Sequence, residues 1–151
     1  MKKILITFFF ILIISCSQQN SYLQIHECEF ILAEFIGNPF NSVDTYKKWI
    51  ENKQDAMNSK IQFEDLNLNN RNLDSLYQTK AQYLFIIGGG GIWVRAKNCR
   101  AEVKNDTLFF FYKPIINNAP TGEASPTMMC LEIDKIKYPN YRNLKIKYVY
   151  E

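Results

Sequence analysis

Apolar and polar positions change their rhythm several times along the chain, and each rhythm predicts a different element. Residues 4–14, ILITFFFILII, are apolar except for Thr7. At about half of the ~20 residues a bilayer-crossing helix needs, that run is too short for a permanent span. From Leu23 to Gly37 two periods coexist: Ile25, Cys28, Leu32, Phe35 and Ile36 fall near one face of a helix, while alternation through Cys28, Phe30 and Leu32 fits a strand. Gly37 and the NPFN that follows close this element. Val43, Tyr46, Ile50 and Met57 then recur at helical spacing against Lys47, Lys48, Glu51 and Lys53, with Ser42 or Asp44 to cap the start. They predict an amphipathic helix over about 43–58, with Trp49 packing at its flank. Residues 60–80, with the Asn-rich LNLNNRNLD, read as a connector containing a helical turn, because Asn side chains compete for the backbone's hydrogen bonds.

Beyond residue 80 the rhythm is that of strands. YLFII at 83–87 is a run of β-formers that four glycines, 88–91, interrupt and IWVRA resumes. Glycines tolerate positive φ, so a hairpin or bulge is expected here. A phosphate cradle would need a helix start and a Lys-Ser/Thr pair after the glycines, and a strand pattern follows instead. In AEVKNDTLFFFYKP, Lys104, Asn105 and Asp106 predict a turn between two strands. The outgoing strand carries Leu108, Phe110 and Tyr112 on one face and Thr107, Phe109 and Phe111 on the other, as a central strand covered on both sides would; Pro114 stops it. Residues 115–126 predict a long polar loop. TMMCLEID returns as a strand with Met129, Leu131 and Ile133 opposite Cys130 and Glu132. Leu144, Ile146 and Tyr148 alternate with Lys145 and Lys147, the pattern of an edge strand with one dry face. The fold class expected is α+β, with one or two N-terminal helices followed by a mainly antiparallel β-sheet of five or six strands in a small sandwich or open barrel.

The leading apolar run acquires a meaning from what flanks it. Lys2 and Lys3 precede it, and a small residue and a cysteine, Ser15 and Cys16, end it, which is a secretory signal in outline. The stretch IISC, Ile13 to Cys16, resembles the lipobox of bacterial lipoprotein precursors. The resemblance implies cleavage by signal peptidase II between Ser15 and Cys16. It further implies that Cys16 carries a thioether-linked diacylglycerol and an amide-linked acyl chain such as palmitate. One buried chain holds a protein to a bilayer only marginally, at ~0.8 kcal/mol per methylene, whereas two or three hold it durably. The implied organisation is a signal peptide over 1–15, an acylated cysteine and short linker over 16–22, and one α+β domain over 23–151. The domain would be tethered to the cell membrane, facing the periplasm or exposed at the surface, and Ser17 in place of an aspartate leans towards the outer membrane. The body of the chain resembles the small lipoproteins of the bacterial envelope, and no motif like the SGAKY of lysozyme inhibitors occurs in it.

Removing the signal changes the charge. Without Lys2 and Lys3 the 18 Lys and Arg fall to 16, against 15 Asp and Glu, so the mature chain is nearly neutral and gives nucleic acid no electrostatic footing. About 136 residues make one domain, and 15% aromatics argue for a packed core. Cys28, Cys99 and Cys130 would lie in an oxidising space and allow at most one bridge; Cys99 with Cys130 is the first choice because both fall in predicted strands, leaving Cys28 free or buried. His26 and Cys28 stand two apart, but two ligands do not make a tetrahedral zinc site and no second pair exists, so no metal or cofactor is expected. His26, the single histidine, has no nucleophile motif to serve, and no catalytic residue is assigned. The carboxylates Glu64, Asp65, Glu102, Asp106, Glu123, Glu132 and Asp134 are scattered as on a solvated surface. The Lys-Tyr alternation of KIKYPNYRNLKIKYVYE is explained by an outer strand protected by lysines, with a surface for gripping sugar or protein as the alternative. The function expected is a non-enzymatic binding or interaction domain for an envelope protein or polymer. The alternatives are a hydrolase using paired carboxylates, and an inhibitor or immunity lipoprotein acting through the 115–126 loop.

Overall fold

The computed structural model describes residues 22–31, 47–88, 92–116 and 126–151. The expected signal peptide, Cys16 and the linker up to residue 21 lie outside the described residues, as do 32–46, 89–91 and 117–125. In chain order the elements are β1 (Gln24–Glu29), β2 (Lys47–Ile50), α1 (Lys53–Asn58), β3 (Gln62–Phe63), α2 (Leu66–Asn69), α3 (Leu73–Thr79), β4 (Lys80–Ile87), β5 (Ile92–Trp93), β6 (Cys99–Lys104), β7 (Thr107–Tyr112), β8 (Ile115–Ile116), β9 (Thr127–Asp134) and β10 (Lys145–Tyr150). They form a five-stranded sheet ordered β2-β4-β9-β1-β3, a three-stranded sheet ordered β10-β7-β6 and a two-stranded ribbon of β5 and β8. The fold is β-rich with three short helices among the described residues, and its sheets are open.

β4 and β9 explain the arrangement. Both are apolar on two faces, and they pair antiparallel from Lys80↔Asp134 to Ile87↔Thr127 at the heart of the larger sheet. One face presents Tyr83, Phe85, Ile87, Met129 and Leu131 to Ala101, Leu108 and Phe110 of the smaller sheet, with Phe85 edge-on to Phe110 at 4.4 Å. The other presents Leu84, Ile86 and Cys130, joined by Ile50 and Cys28, to Ala56, Leu68, Leu73 and Tyr77 of the helices. Fully burying one such side chain contributes roughly 1.5–3 kcal/mol, so two cores sharing a central sheet hold the domain together. A bridge from Leu23 to Ala101 ties the chain just before β1 to β6.

The hairpin of β6 and β7 forms with the expected turn, Asn105 taking φ 57°. β7 is central, as expected, and among the described residues only its inner face joins a core cluster. Leu108 and Phe110 are fully buried, while Phe109 and Phe111 are half-buried beneath the charged ends of Lys147 and Arg100. β10 is an edge strand with Ile146 and Tyr148 packed inward. It runs parallel to β7, from Lys145↔Thr107 to Tyr150↔Tyr112, so the sheets are not antiparallel throughout.

Several expectations are corrected. Over 24–29 the alternating period prevails and β1 is a strand. Residues 47–50, expected inside a helix over 43–58, are strand β2, paired with β4; helix begins only at α1, where the Asn52 side chain accepts from the Asp55 N–H. Trp49 therefore lies between Tyr83 and Tyr141, each ring 4.8 Å away, and not at a helix flank. The connector holds more helix than one turn, since Asp65 and Asn72 cap α2 and α3. YLFII and IWVRA do not pair with each other: β4 ends at Ile87, and β5 pairs with β8. Gly88 has φ 88°, and a Cβ there would stand 2.8 Å from the Ile92 carbonyl. Among the described residues no helix is long and apolar enough to cross a membrane.

Candidate functional site

The cleft arises where β1 parts from β9. The two strands pair from Gln24↔Glu132 to Glu27↔Met129, but Cys28 and Glu29 pair with Phe63 and Gln62 of β3 instead. A cavity of about 710 Å³ opens between the end of β1 and Thr127 and Met128 of β9, with Phe63 and Glu64 on one wall and Trp93 and Arg95 on another. β1 alternates there so that Cys28 and Phe30 are buried and Glu29 is exposed. The Glu27 carboxylate is held in place: Oε1 lies 3.0 Å from Arg95 Nε and accepts the Ala96 N–H at 2.8 Å. Arg95 Nη2 also lies 3.6 Å from Glu64 Oε2. Trp93 is 43% exposed, unusual for an indole that could have been packed away.

Two carboxylates thus share one guanidinium, and a third acid, Glu29, and an open indole line the same cavity. Such a lining accepts hydrogen bonds from hydroxyl or ammonium groups and offers a flat apolar ring for stacking. General acid–base work would need a carboxyl free to carry a proton to substrate. Glu27 and Glu64 instead share Arg95 as ion-pair partners.

Beneath the sheet lies a second polar cluster. Glu132, 4% exposed, accepts from Arg71 Nη1 at 2.5 Å, from Lys80 Nζ at 2.9 Å and from Gln82 Nε2 at 3.3 Å. The Tyr77 hydroxyl donates to Gln82 Oε1 at 2.5 Å. Burial alone would raise the Glu132 carboxyl, but the bonds and charges of Lys80 and Arg71 outweigh it and hold it below its ordinary value. Burial and the nearby Cys130 push the Tyr77 hydroxyl up. This carboxylate is no part of a solvated surface, contrary to expectation; it locks α3, β4 and β9 together.

The other singled-out residues are dispersed. His26 sits on β1 opposite Cys130, its ring edge-on to Phe63 at 6.0 Å, and its Nε2 is buried without a partner. Burial lowers its affinity for a proton, with Glu132 opposing and Arg71 reinforcing. Among the described residues no three His, Cys, Asp or Glu side chains gather as a metal would require. The expected Cys99–Cys130 bridge is not formed, and Cys28, Cys99 and Cys130 are all free. The reason is topological: Cys130 points to the helix side of the central sheet, whereas Cys99 belongs to the smaller sheet on the opposite side. Burial pushes the thiols of Cys28 and Cys99 up to about 12 and Cys130 well above its ordinary value. Asp65 caps α2, Asp106 pairs with Lys145 at 2.8 Å, and Asp134 accepts the N–H groups of Ile136 and Lys137. Glu123 and Cys16 lie outside the described residues.

Glu27, Glu29, Trp93 and Arg95 were not singled out by sequence reasoning. The available signal was Trp93 and Arg95 directly after a glycine run, where a tight backbone turn can project side chains sideways. No family model, no curated protein and no solved structure matches this chain.

Proposed function

We propose that this chain is a lipid-anchored protein of a bacterial cell envelope, with residues 1–15 as signal peptide, Cys16 acylated, and a body that binds a partner without catalysis. Its recognition site is the cleft where β1 leaves β9. The observation that carries the binding reading is the meeting of half-exposed Trp93 with Glu27, Glu29, Glu64 and Arg95 around a cavity of about 710 Å³. A surplus of carboxylates beside an open indole favours a partner with a flat apolar surface and hydroxyl or ammonium donors. A sugar of an envelope polymer or a lysine-bearing segment of an envelope protein has that chemistry. The small sandwich expected of the body is supported by the core that the two larger sheets share. Placement at the outer membrane is supported by Ser17 alone.

The three acids in the cleft also favour a second reading, a hydrolase, and the shared Arg95 weighs against it. One experiment separates the two. A photo-crosslinking residue is placed in growing cells at position 93, or at position 136, which is exposed at the opposite end of β9. The binding reading expects one envelope partner captured at 93 and not at 136, with capture weakened by Glu27→Gln. Turnover of an envelope polymer by the acyl-free domain, abolished by Glu64→Gln, would replace binding by hydrolysis. The mass of the Cys16 peptide from the same cells tests the anchor.

A further inference from the structure

We infer that the outer face of β6, β7 and β10 rests on the phospholipid headgroup layer, an inference that depends on the acylation of Cys16 proposed above. The face is built by register: Arg100 lies opposite Phe111 and Glu102 opposite Phe109 on one side of β7, with Lys147 opposite Phe109 and Val149 opposite Phe111 on the other. Phe109 and Phe111 stack at 6.1 Å with their planes 23° apart. They belong to none of the core clusters formed by the described residues. Their covers are cationic side chains, Arg100 at 3.9 Å from the Phe111 centroid and Lys147 at 5.9 Å from that of Phe109. Long cationic side chains lie along apolar surface while their heads reach for phosphate, which is how such residues sit at a bilayer interface.

The position of the tether selects the bilayer as the occupant. Tyr22 is the last residue of the expected linker and the first of the described residues, and its ring lies 5.5 Å from the Arg100 guanidinium on this same face. Leu23 turns inward, its N–H donating to the Ala101 carbonyl at 2.9 Å. Five residues, 17–21, separate Cys16 from Tyr22, and the six Cα–Cα steps span at most ~22 Å when fully extended. The lipid therefore keeps this face at high effective concentration against the membrane plane. Arg100, Lys104, Lys145 and Lys147 face Glu102, Asp106 and Glu151, so the face is almost neutral. Attraction comes from interfacial aromatic rings and cation–phosphate contacts and not from a polybasic patch.

The test uses the full chain extracted from cells and reconstituted in phosphatidylethanolamine–phosphatidylglycerol vesicles. These contain a phosphatidylcholine with a diazirine high on one acyl chain, and peptide mass mapping follows illumination. With Cys16 acylated, adducts should fall on the peptides of Tyr22, Phe109 to Phe111 and Lys147 to Val149 severalfold more than on those of Trp93 or α3. Acylated Cys16 with adducts spread evenly, or concentrated at Trp93 or α3, would overturn this inference and leave the anchor standing. So would protection of this face by a second copy, seen as a protein–protein crosslink through it. A bare Cys16 would remove both this inference and the proposed function.

Discussion

Glu132 offers the sharpest test of how the fold is held. Glu132→Gln keeps the volume of the side chain but leaves Arg71 and Lys80 without a counter-charge. The Arg71 side chain is 23% exposed, and losing a charge-assisted bond there costs about 1.5–3 kcal/mol. Lys80 keeps 38% of its side chain in water and can turn outward, so its share is discounted to ~1 kcal/mol or less. The sum, about 2–4 kcal/mol, is a large part of the ~5–15 kcal/mol that holds a domain of this size. A drop in Tm of roughly 10 °C should accompany it. Urea unfolding followed by tryptophan fluorescence suits the measurement, since Trp49 is packed between two tyrosines, and an unchanged m-value would show that the native state stays intact. Replacing Glu132 and Arg71 together by Met should recover most of the loss, because no unpaired charge then stays buried. A cost under ~1 kcal/mol for Glu132→Gln alone, or a double replacement worse than the single, would refute a buried, doubly paired carboxylate as the lock of this sheet. The folded carboxyl sits below its ordinary value of 4.5, so this contribution is complete above that pH and is lost as pH falls through the folded value.

Three further outcomes are expected. His26 binds a proton less readily when folded than its ordinary value of 6.5, so the unfolded chain takes up protons first and stability declines as pH falls below 6.5; His26→Leu should flatten that part of a stability–pH curve. Asn105→Val should cost about 1–2 kcal/mol in urea unfolding and Asn105→Gly almost nothing, since φ 57° penalises a β-branched residue. In the native protein a thiol reagent should label Cys99 slowly and Cys28 and Cys130 only after unfolding; a denatured mass short by two hydrogens would reveal a bridge and refute the free-thiol arrangement.

Legibility followed the length over which a pattern could repeat. The β6–β7 turn, the two-faced strand β9 and the lysine-guarded edge β10 were readable because six or eight residues displayed a period and Asn105 marked the turn. β2 has four residues, too few to show alternation, and the chance helical spacing of Ile50 and Met57 overrode it. The Asn-rich run in 60–80 reads as a connector, whereas Asp65 and Asn72 there, like Asn52 before it, are the residues that cap α2, α3 and α1. The cleft had no local signature, because it opens where the pairing of β1 with β9 stops at Glu27 and Met129, a junction between segments far apart in the chain. Glu132 looked like surface for the same reason: its partners Arg71 and Lys80 lie 61 and 52 residues away.

β1 enters the larger sheet between β9 and β3, and Leu23 is also pinned to β6. A tether attached a few residues ahead of it would deliver any mechanical load to an interior strand held from three directions. Edge strands such as β2 or β10 can be peeled away one hydrogen bond at a time. An interior strand must shear several together, so a pull applied ahead of β1 would meet more resistance than one applied to either edge strand.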